Sequence, residues 1–229
     1  MQLSNRLGTL TKYVPQGSRV IDVGTDHAYV PIYLMKNNIA TSCMATDINK
    51  GPLIKAEQNM AKYRIPNIKL KQTSGLQGIT EEDGNVIMIS GMGGYLIIDI
   101  LKAAMPIVKA ADRLILQPQQ DIDEVRKFLH ANHFKIVTED FAKDDDKYYT
   151  ILVVEKGEEV YSKSYEYVYG KCLIEKKLPL FKEWLVKKCD KLEEIKKHLD
   201  SNQGIQAEAR LKELEAEIAE IKEVITCLN

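Results

Sequence analysis

The sequence predicts an α/β protein, with a mostly parallel seven-stranded sheet covered by helices and a separate helical segment after it. Two observations support this fold class. Short apolar runs alternate with helical patterns as far as Pro118, and from about residue 160 the chain is rich in Lys, Glu and Leu without strand signals. Such alternation is typical of βαβ units, in which helices cover both faces of a parallel sheet. We therefore expect a sheet domain over residues 1–157 and a helical coiled-coil domain over residues 158–229.

Five strands and five helices are predicted before the end of the parallel part. The strands are placed at 18–24, 41–47, 67–73, 85–91 and 112–117, and the helices at 2–14, 27–38, 50–63, 93–104 and 119–132. The first helix follows from the spacing of Leu3, Leu7 and Leu10, and it ends before Pro15, because a proline interrupts a helical pattern.

Two consecutive strand-like runs follow. Residues 134–139 and 148–154 are joined by an acidic turn at 143–146. Such a pair indicates a β-hairpin. We expect it to close the sheet, so that one edge strand is antiparallel.

The last part of the chain shows two heptad-like patterns. The apolar positions include Phe181, Leu185, Leu192, Ile195 and Leu199 in the first, and Leu211, Leu214, Ile218, Ile221, Ile225 and Leu228 in the second. A strong turn signal, Ser201–Gly204, separates them. This arrangement predicts two helices that fold back as an antiparallel coiled coil.

Composition narrows the class of protein. An apolar share of 45% with 28% charged residues is ordinary for a soluble globular protein, and the net charge of −1 means that nucleic-acid binding would need local basic patches. The four cysteines contain no C-x-x-C pair, which argues against zinc and against a disulfide framework. No signal peptide and no apolar run of about 18 residues is found. We expect a cytoplasmic protein that needs no metal.

The end of the first strand carries the strongest functional signal. The apolar run around Asp22 leads into Gly24, and the next strand ends in a second acid, Asp47. This is the layout of a nucleotide-binding βαβ unit, with backbone approach at the glycine and a carboxylate placed for ribose hydroxyls. No further glycines follow to hold a pyrophosphate, so a nucleoside without phosphates fits better, and S-adenosylmethionine is the common one. The alternatives are a tight turn at Gly24 and helix capping by Asp47 with Asn49.

Asp26 and His27 occupy positions where glycines are usual in methyltransferases. Asp26 is a candidate to face the sulfonium, or it caps the helix expected to begin near His27. His27 is a candidate for acid–base chemistry or for covering the adenosine, and the alternative is a hydrogen-bonded filler.

Three further strand ends carry polar or glycine-rich loops. Ser74–Leu76 follows the third strand and is a candidate for contact with adenine, unless it is an ordinary loop. Ser90–Gly94 contains three glycines, and their cost in chain entropy indicates that the backbone has to approach a ligand closely. We expect the acceptor base there. Gln117 before Pro118 either reads an amide or base edge or caps the helix that begins near Asp121.

Taken together, residues 22–31, 47–53, 90–94 and 116–118 resemble the bacterial TrmK family. Those enzymes use S-adenosylmethionine to methylate N1 of the adenine at position 22 of tRNA. The resemblance covers the whole Rossmann-like part, and the appended helices are similar as well. It implies a class I methyltransferase fold, tRNA as the substrate and S-adenosylmethionine as the cofactor.

The resemblance also implies roles for matching positions. Asp22, Gly24 and Asp26 would line the methionine side of the cofactor. The predicted cofactor-binding residues are Asp22, Gly24, Asp26, His27, Asp47, Ile48, Ser74, Gly75, Leu76, Ser90, Gly91 and Met92. The predicted substrate-binding residues are Arg6, Lys12, Gly93, Gly94, Gln117 and Pro118. Asp26 and His27 are the predicted catalytic residues, because a carboxylate can stabilise the charge that methylation places on adenine or accept a proton from N6.

The expected RNA surface is basic. Residues 1–21 carry three basic and no acidic side chains, and residues 160–200 carry ten lysines against seven acids. These segments are candidates for phosphate contacts, and the alternative is that they are solvated helix faces with paired charges. Two other functions stay open: methylation of another RNA or a small molecule, and a non-catalytic scaffold whose coiled coil binds a partner.

Overall fold

The computed structural model describes residues 1–200 and 205–229 and separates into two units, Met1–Val160 and Tyr161–Asn229. The first unit is built on a seven-stranded sheet of order β3-β2-β1-β4-β5-β7-β6. Its strands are β1 (Ser18–Val23), β2 (Ala40–Asp47), β3 (Ile68–Gln72), β4 (Val86–Met92), β5 (Arg113–Pro118), β6 (Phe134–Asp144) and β7 (Lys147–Lys156). The predicted fold class is confirmed.

The first five strands are parallel, and β7 is antiparallel to both β5 and β6. The strand order reverses between β1 and β4, where the chain leaves in opposite directions along the sheet. Such a switch point opens a crevice at the carboxyl ends of the strands, which is where ligands bind in open α/β sheets. Asp22 pairs in register with Met88 and Val23 with Ile89, so the loop after β1 starts beside the last residues of β4.

The central strands are apolar because helices cover both of their faces. Ile21, Ile87 and Ile89 are completely buried, as are Leu116 and Val154. Continuous apolar runs, rather than an alternating pattern, are what a doubly covered sheet requires. This burial is why the five parallel strands could be located from the sequence to within one residue at each end.

The helices of this unit are α1 (Asn5–Thr11), α2 (Tyr29–Lys36), α3 (Lys50–Tyr63), α4 (Gly94–Ala103), α5 (Met105–Ala110) and α6 (Ile122–Ala131). The predicted start of α2 near His27 was wrong by two residues, because His27 and Ala28 both adopt φ of 57° in the left-handed region. Helix α5 was not predicted; it follows a break at Ala104, whose φ of −128° ends α4.

The β6–β7 hairpin is longer than predicted. The strands pair from Phe134 with Lys156 to Asp144 with Lys147, so the acidic segment contributes to strand β6. The turn contains Asp145 at φ of 51°, a conformation that Asp tolerates better than most residues.

The second unit is helical. It contains a π-helical segment (Glu166–Gly170), α7 (Lys171–Lys176), α8 (Pro179–Asp200) and α9 (Ile205–Cys227). Helices α8 and α9 run antiparallel, because Lys182 near the start of α8 donates to Asn229 (2.6 Å) while Lys196 near its end pairs with Glu215 (2.7 Å). Val224 rather than Ile225 is buried in the last turns of α9. The predicted turn at 201–204 lies outside the described residues, and the coiled-coil assignment stays a prediction.

Across the described ranges, the helices all fall short of the length and apolar character that a membrane span requires.

Candidate active site

A cavity of about 300 Å³ opens at the carboxyl ends of β1 and β4. It is lined by side chains and backbone from α1, the loop after β1, the end of β4 and the loop after β5. The lining residues are Arg6, Leu7, Asp22, Gly24, Asp26, Val30, Ser90, Gly91 and Gln119. Six of them, Arg6, Asp22, Gly24, Asp26, Ser90 and Gly91, were predicted as site residues from the sequence.

Asp22 is the most unusual group in this cavity. Its side chain is buried, with an exposed fraction of 5%, and the hydroxyl of Thr25 donates to Oδ2 at 2.6 Å. Burial raises the pKa of Asp22 to about 6; the Thr25 hydrogen bond opposes this rise and the charge of Asp26 adds to it. No Lys, Arg or His in the described ranges forms an ion pair with Asp22. A ligand that brings an ammonium group would therefore satisfy a carboxylate that the protein leaves without a cation.

Gly24 and Gly91 both line the cavity and hold the backbone in the left-handed region, with φ of 71° and 78°. A Cβ at Gly24 would lie 2.1 Å from Cε of Met92, so the thioether of Met92 lies directly against the Gly24 backbone. The amides of Gly24 and Thr25 both donate to the Thr46 carbonyl at 2.8 Å. Gly24 therefore forms a tight turn and lines the cavity at once, so its two interpretations do not exclude one another.

Asp26 projects into the cavity mouth with its side chain 69% exposed, and Nδ1 of His27 lies 3.4 Å from its Oδ1. The capping alternative for Asp26 was wrong, because the N-cap of α2 is Ala28 and no side chain caps that helix. His27 does not line the cavity. Its carbonyl accepts a hydrogen bond from Asn59 (3.0 Å), and its ring packs edge-on against Tyr29.

Asp47 and Ile48 lie beyond the cavity at the end of β2. Oδ1 of Asp47 accepts from the backbone amide of Asn49 at 2.7 Å. Asn49 is the N-cap of α3, but its side chain makes no capping hydrogen bond. Of the capping alternative, the structure therefore shows only the bond from the Asn49 amide to Asp47. Ile48 is 62% exposed. An exposed apolar side chain beside a carboxylate suits a ligand with a ring and hydroxyl groups.

The segment Ser74–Leu76 lines a second depression of about 150 Å³ together with residues of α4. Gly75 has φ of 56°, and a Cβ there would lie 3.1 Å from two carbons of Ile100. Leu76 is buried, with an exposed fraction of 2%. The structure thus does not bring Ser74–Leu76 into the cavity that Asp22 lines.

The three glycines near the end of β4, Gly91, Gly93 and Gly94, make different contacts, so glycine is required at each for a different reason or not at all. A Cβ at Gly94 would lie 2.6 Å from the carbonyl oxygens of both Gln120 and Asp121. The Gly94 amide also donates to Gln120 at 3.0 Å, so Gly94 allows α4 to start against the loop after β5. Gly93 has an ordinary φ of −65°. Only Gly91 among these three lines the cavity.

Gln117 is completely buried and lies behind the cavity wall. Its Oε1 accepts from Nη1 of Arg6 (2.9 Å) and from the amide of Gly91 (3.1 Å), and its Nε2 donates to the Pro118 carbonyl (3.1 Å). The capping alternative for Gln117 was wrong, since the N-cap of α6 is Asp121. Lys12, at the end of α1, is exposed and does not line the cavity.

Three lining residues, Leu7, Val30 and Gln119, were not predicted as site residues, and neither was the supporting Tyr149. Gln119 lines the cavity just after the Gln117–Pro118 pair, and the local richness in glutamine was the available signal. Tyr149 of β7 lies beneath the guanidinium of Arg6, with 5.4 Å between Cζ and the ring centroid. No local signal marks Tyr149, because its pattern is that of any strand residue. In the part of the chain that the structure describes, no three His, Cys, Asp or Glu residues cluster as a metal site.

Comparison with known proteins assigns the chain to a family. The sequence model for TrmK, described as tRNA (adenine(22)-N(1))-methyltransferase, matches residues 20–223. A curated relative of that description from Bacillus subtilis is 33% identical, and the alignment covers 98% of each chain.

Solved structures agree with this assignment. A Streptococcus pneumoniae protein in complex with S-adenosyl-L-methionine is 33% identical and superposes with a TM-score of 0.88, covering 98% of this chain and 100% of that one. M. capricolum TrmK in complex with S-adenosyl-homocysteine is 26% identical with a TM-score of 0.85, and the superposition covers 100% of both chains. This chain belongs to the TrmK family of tRNA (adenine(22)-N(1))-methyltransferases.

Proposed function

We propose that this chain transfers the methyl group of S-adenosylmethionine to N1 of adenine 22 of tRNA, in the cavity between the ends of β1 and β4. One observation carries the proposal from the structure: the buried Asp22, which has no cationic partner, faces a cavity beside the left-handed Gly24. The strand-order reversal places this cavity where an α/β sheet binds ligands.

The residues present fit the cofactor. Asp22 would accept hydrogen bonds from the ammonium of the methionine moiety, and Gly24 would let that moiety approach the backbone. Asp47 would bind the ribose hydroxyls, and the exposed Ile48 would cover the adenosine. Ser74–Leu76 would contact the adenine from the neighbouring depression. When bound, the cofactor supplies an electrophilic methyl group on its sulfonium.

The acceptor adenine would enter over Ser90 and Gly91, which line the cavity at the end of β4. N1 lies on the Watson–Crick edge, so the base has to be unpaired or flipped out of its stack. The protein then holds N1 in line with the methyl group, and such alignment supplies a large part of the rate enhancement.

Asp26 would act on the adenine during methyl transfer. Its carboxylate lies at the cavity mouth, where it would stabilise the positive charge on the base or accept a proton from N6. His27, with Nδ1 3.4 Å from Asp26, would orient this carboxylate. We therefore treat Asp26 as the catalytic residue and His27 as the residue that positions it.

The RNA would be bound outside the cavity, in the cytoplasm, by exposed basic residues such as Lys12. Helix α8 is a weaker candidate than its lysine content indicates. Lys188 and Lys196 pair with glutamates of α9 at 2.9 and 2.7 Å, which reduces the positive charge available to phosphates.

Methyl transfer from labelled cofactor to an unmodified tRNA transcript tests the proposed function. We expect label on the wild-type transcript and none on a transcript with guanine at position 22. Equal labelling of both transcripts would contradict the site of methylation. Stronger labelling of ribosomal RNA than of tRNA would contradict the substrate.

A further inference from the structure

Tyr95 differs from every other aromatic residue of the chain. The sequence contains eleven tyrosines, four phenylalanines and one tryptophan, and Tyr95 alone among them is exposed, with an exposed fraction of 58%. Within the described ranges its side chain makes no hydrogen bond and no ring or cation contact. Leu96, the next residue, is 53% exposed, so the two form an exposed apolar pair. A ring left in water adds nothing to packing and is available to a partner.

Tyr95 lies at the same edge of the sheet as the cavity that Gly91 lines. It is the second residue of α4, which begins at Gly94 just after the end of β4. The Gly94 amide donates to the Gln120 carbonyl at 3.0 Å, so the start of this helix is fixed against the loop after β5. The ring is therefore four residues along the chain from the cavity wall at Gly91, on a helix end that the neighbouring loop holds in place.

The side of α4 that carries Tyr95 faces α6. Tyr95, Ile98 and Lys102 lie on one side of the helix, because residues three, four and seven positions apart share a face. Ile98 is buried, and Nζ of Lys102 lies 5.6 Å from the ring centroid of Phe128 in α6. Tyr95 continues this face beyond the packed part, at the end of α4 that is closest to the carboxyl edge of the sheet.

The charges around Tyr95 favour a nucleobase over a phosphate. Asp99, which is exposed, lies one turn further along α4, and the first turn of α6 carries Asp123 and Glu124. Lys127 pairs with both of these α6 carboxylates, at 2.9 and 2.7 Å, so its charge is already compensated. Phosphates bind where cations are free. Bases, in contrast, stack on an aromatic ring without needing a charge.

Methylation at N1 requires adenine 22 to leave its stack, and this movement also uncovers the neighbouring bases. An exposed aromatic ring close to the cavity can replace the stacking partner that these bases lose. We infer that Tyr95 stacks on a nucleobase next to adenine 22 of the bound tRNA. This inference rests on the proposed function, in which adenine 22 enters over Ser90 and Gly91.

Steady-state methylation of tRNA by Tyr95→Leu and Tyr95→Phe tests the inference. Leucine keeps the apolar bulk but removes the aromatic face, so we expect KM for tRNA to rise about 5- to 100-fold, the range for one stacked base. Phenylalanine keeps the ring and should stay within about 2-fold of the wild type. Because the ring contacts a neighbouring base and not the reacting atoms, kcat should change by less than about 3-fold in both variants.

Synthetic tRNA that lacks the base at position 21 or at position 23 identifies the stacked base. For the wild type we expect one of these two RNAs to raise KM by about as much as Tyr95→Leu does on intact tRNA. The same RNA should cause no further rise in Tyr95→Leu, because the ring and the base that it contacts act as one pair.

Two controls separate this effect from damage to the fold or to the cofactor site. Val137→Ala shortens an exposed apolar side chain of the edge strand β6 and should leave KM for tRNA unchanged. The Kd of Tyr95→Leu for S-adenosylmethionine, measured by calorimetry, should equal that of the wild type. Its free energy of unfolding should be unchanged as well, because the ring is exposed and makes no contact that folding depends on.

A Tyr95→Leu enzyme with the wild-type KM for tRNA would overturn the inference. So would a loss of cofactor affinity in that variant, a fall in kcat alone, or effects of Tyr95→Leu and of each missing base that simply add. All of these outcomes leave the proposed function intact. A wild type that leaves adenine 22 unmethylated would instead contradict the proposed function, and this inference with it.

Discussion

Two regions of the sheet unit bury charged groups in opposite ways. Between α6 and β6, Nη2 and Nε of Arg126 lie 2.7 and 2.8 Å from Oε1 of Glu139, and both side chains are almost completely inaccessible. At the ends of β1 and β4, Arg6 and Asp22 face one cavity without an ion pair between them. The first arrangement satisfies its charges within the protein, and the second leaves two opposite charges facing a cavity without an ion pair between them.

This difference predicts which buried charges stabilise the fold and which bind a ligand. A buried pair that loses one partner leaves an uncompensated charge in the interior, which is strongly destabilising. A buried charge without a protein partner already carries that cost in the ligand-free state. Removing such a charge should therefore weaken binding while leaving folding unharmed.

The largest effect is expected for Arg126→Ala. It leaves the Glu139 carboxylate buried without its partner, and we expect the free energy of unfolding to fall by about 3–5 kcal/mol. Urea unfolding of the cofactor-free protein measures this change. Lys127→Ala is the matched control, since Lys127 pairs with Asp123 and Glu124 on the exposed side of the same helix, and it should cost less than about 1 kcal/mol. Similar losses for the two variants would contradict the comparison.

The second effect concerns Asp22→Asn. At neutral pH we expect the Kd for S-adenosylmethionine to rise about 10- to 100-fold, because the neutral amide can accept a hydrogen bond from the ammonium but cannot form an ion pair with it. The free energy of unfolding of the cofactor-free protein should be unchanged or higher. Calorimetry and urea unfolding measure the two quantities. A variant that loses stability as Arg126→Ala does would show that Asp22 is structural.

The pH dependence of stability is a further test of the role of Asp22. The pKa of Asp22 is raised from 3.8 to about 6, so the folded protein binds the proton more tightly than the unfolded chain. The contribution of Asp22 to stability therefore falls as the pH rises from about 4 to about 6, by roughly 3 kcal/mol, and is level above that range. Subtracting the profile of Asp22→Asn from that of the wild type isolates this contribution. Cofactor affinity should change in the opposite direction and increase through the same range, because the ionised carboxylate binds the ammonium.

The smallest effect is expected for exposed pairs of the helical unit. Lys188 and Glu217 are 2.9 Å apart but both partly exposed, so Lys188→Ala should lower the free energy of unfolding by less than about 1 kcal/mol. Urea unfolding in low and high salt measures it, and added salt should reduce the difference further. A loss as large as that of Arg126→Ala would mean that burial does not govern the strength of these pairs.

Much of the fold was predictable because each strand carries its own signal. The strands around Ile21 and Ile87 are apolar runs bounded by polar loops, and such runs report burial on both faces. The predicted helix 93–104 ended at the right place, but helix α5 was missed, because its six residues are too few to show a helical period. The start of α2 was missed because His27 and Ala28 take up left-handed conformations that neither residue type demands.

The candidate site was predictable only in part. Asp22, Gly24 and Gly91 were found because acids and glycines at strand ends are unusual without a ligand or a turn. Gly94 gave the same signal for a different reason, namely the carbonyl groups of the loop after β5, which approach its Cα. That approach depends on the packing of two distant segments, and no local pattern reports it.

The sequence by itself determined the alternation of strands and helices, the loop containing Asp22 and Gly24, and the resemblance to one family of methyltransferases. These features are local, because burial and backbone conformation leave their pattern in neighbouring residues. The tertiary structure alone decided which charges face each other. Arg6 and Gln117 are 111 residues apart in the chain, and only the folded sheet brings them to one cavity wall. Whether a charge is satisfied by the protein or left for a ligand depends on such long-range contacts, which a linear pattern does not contain.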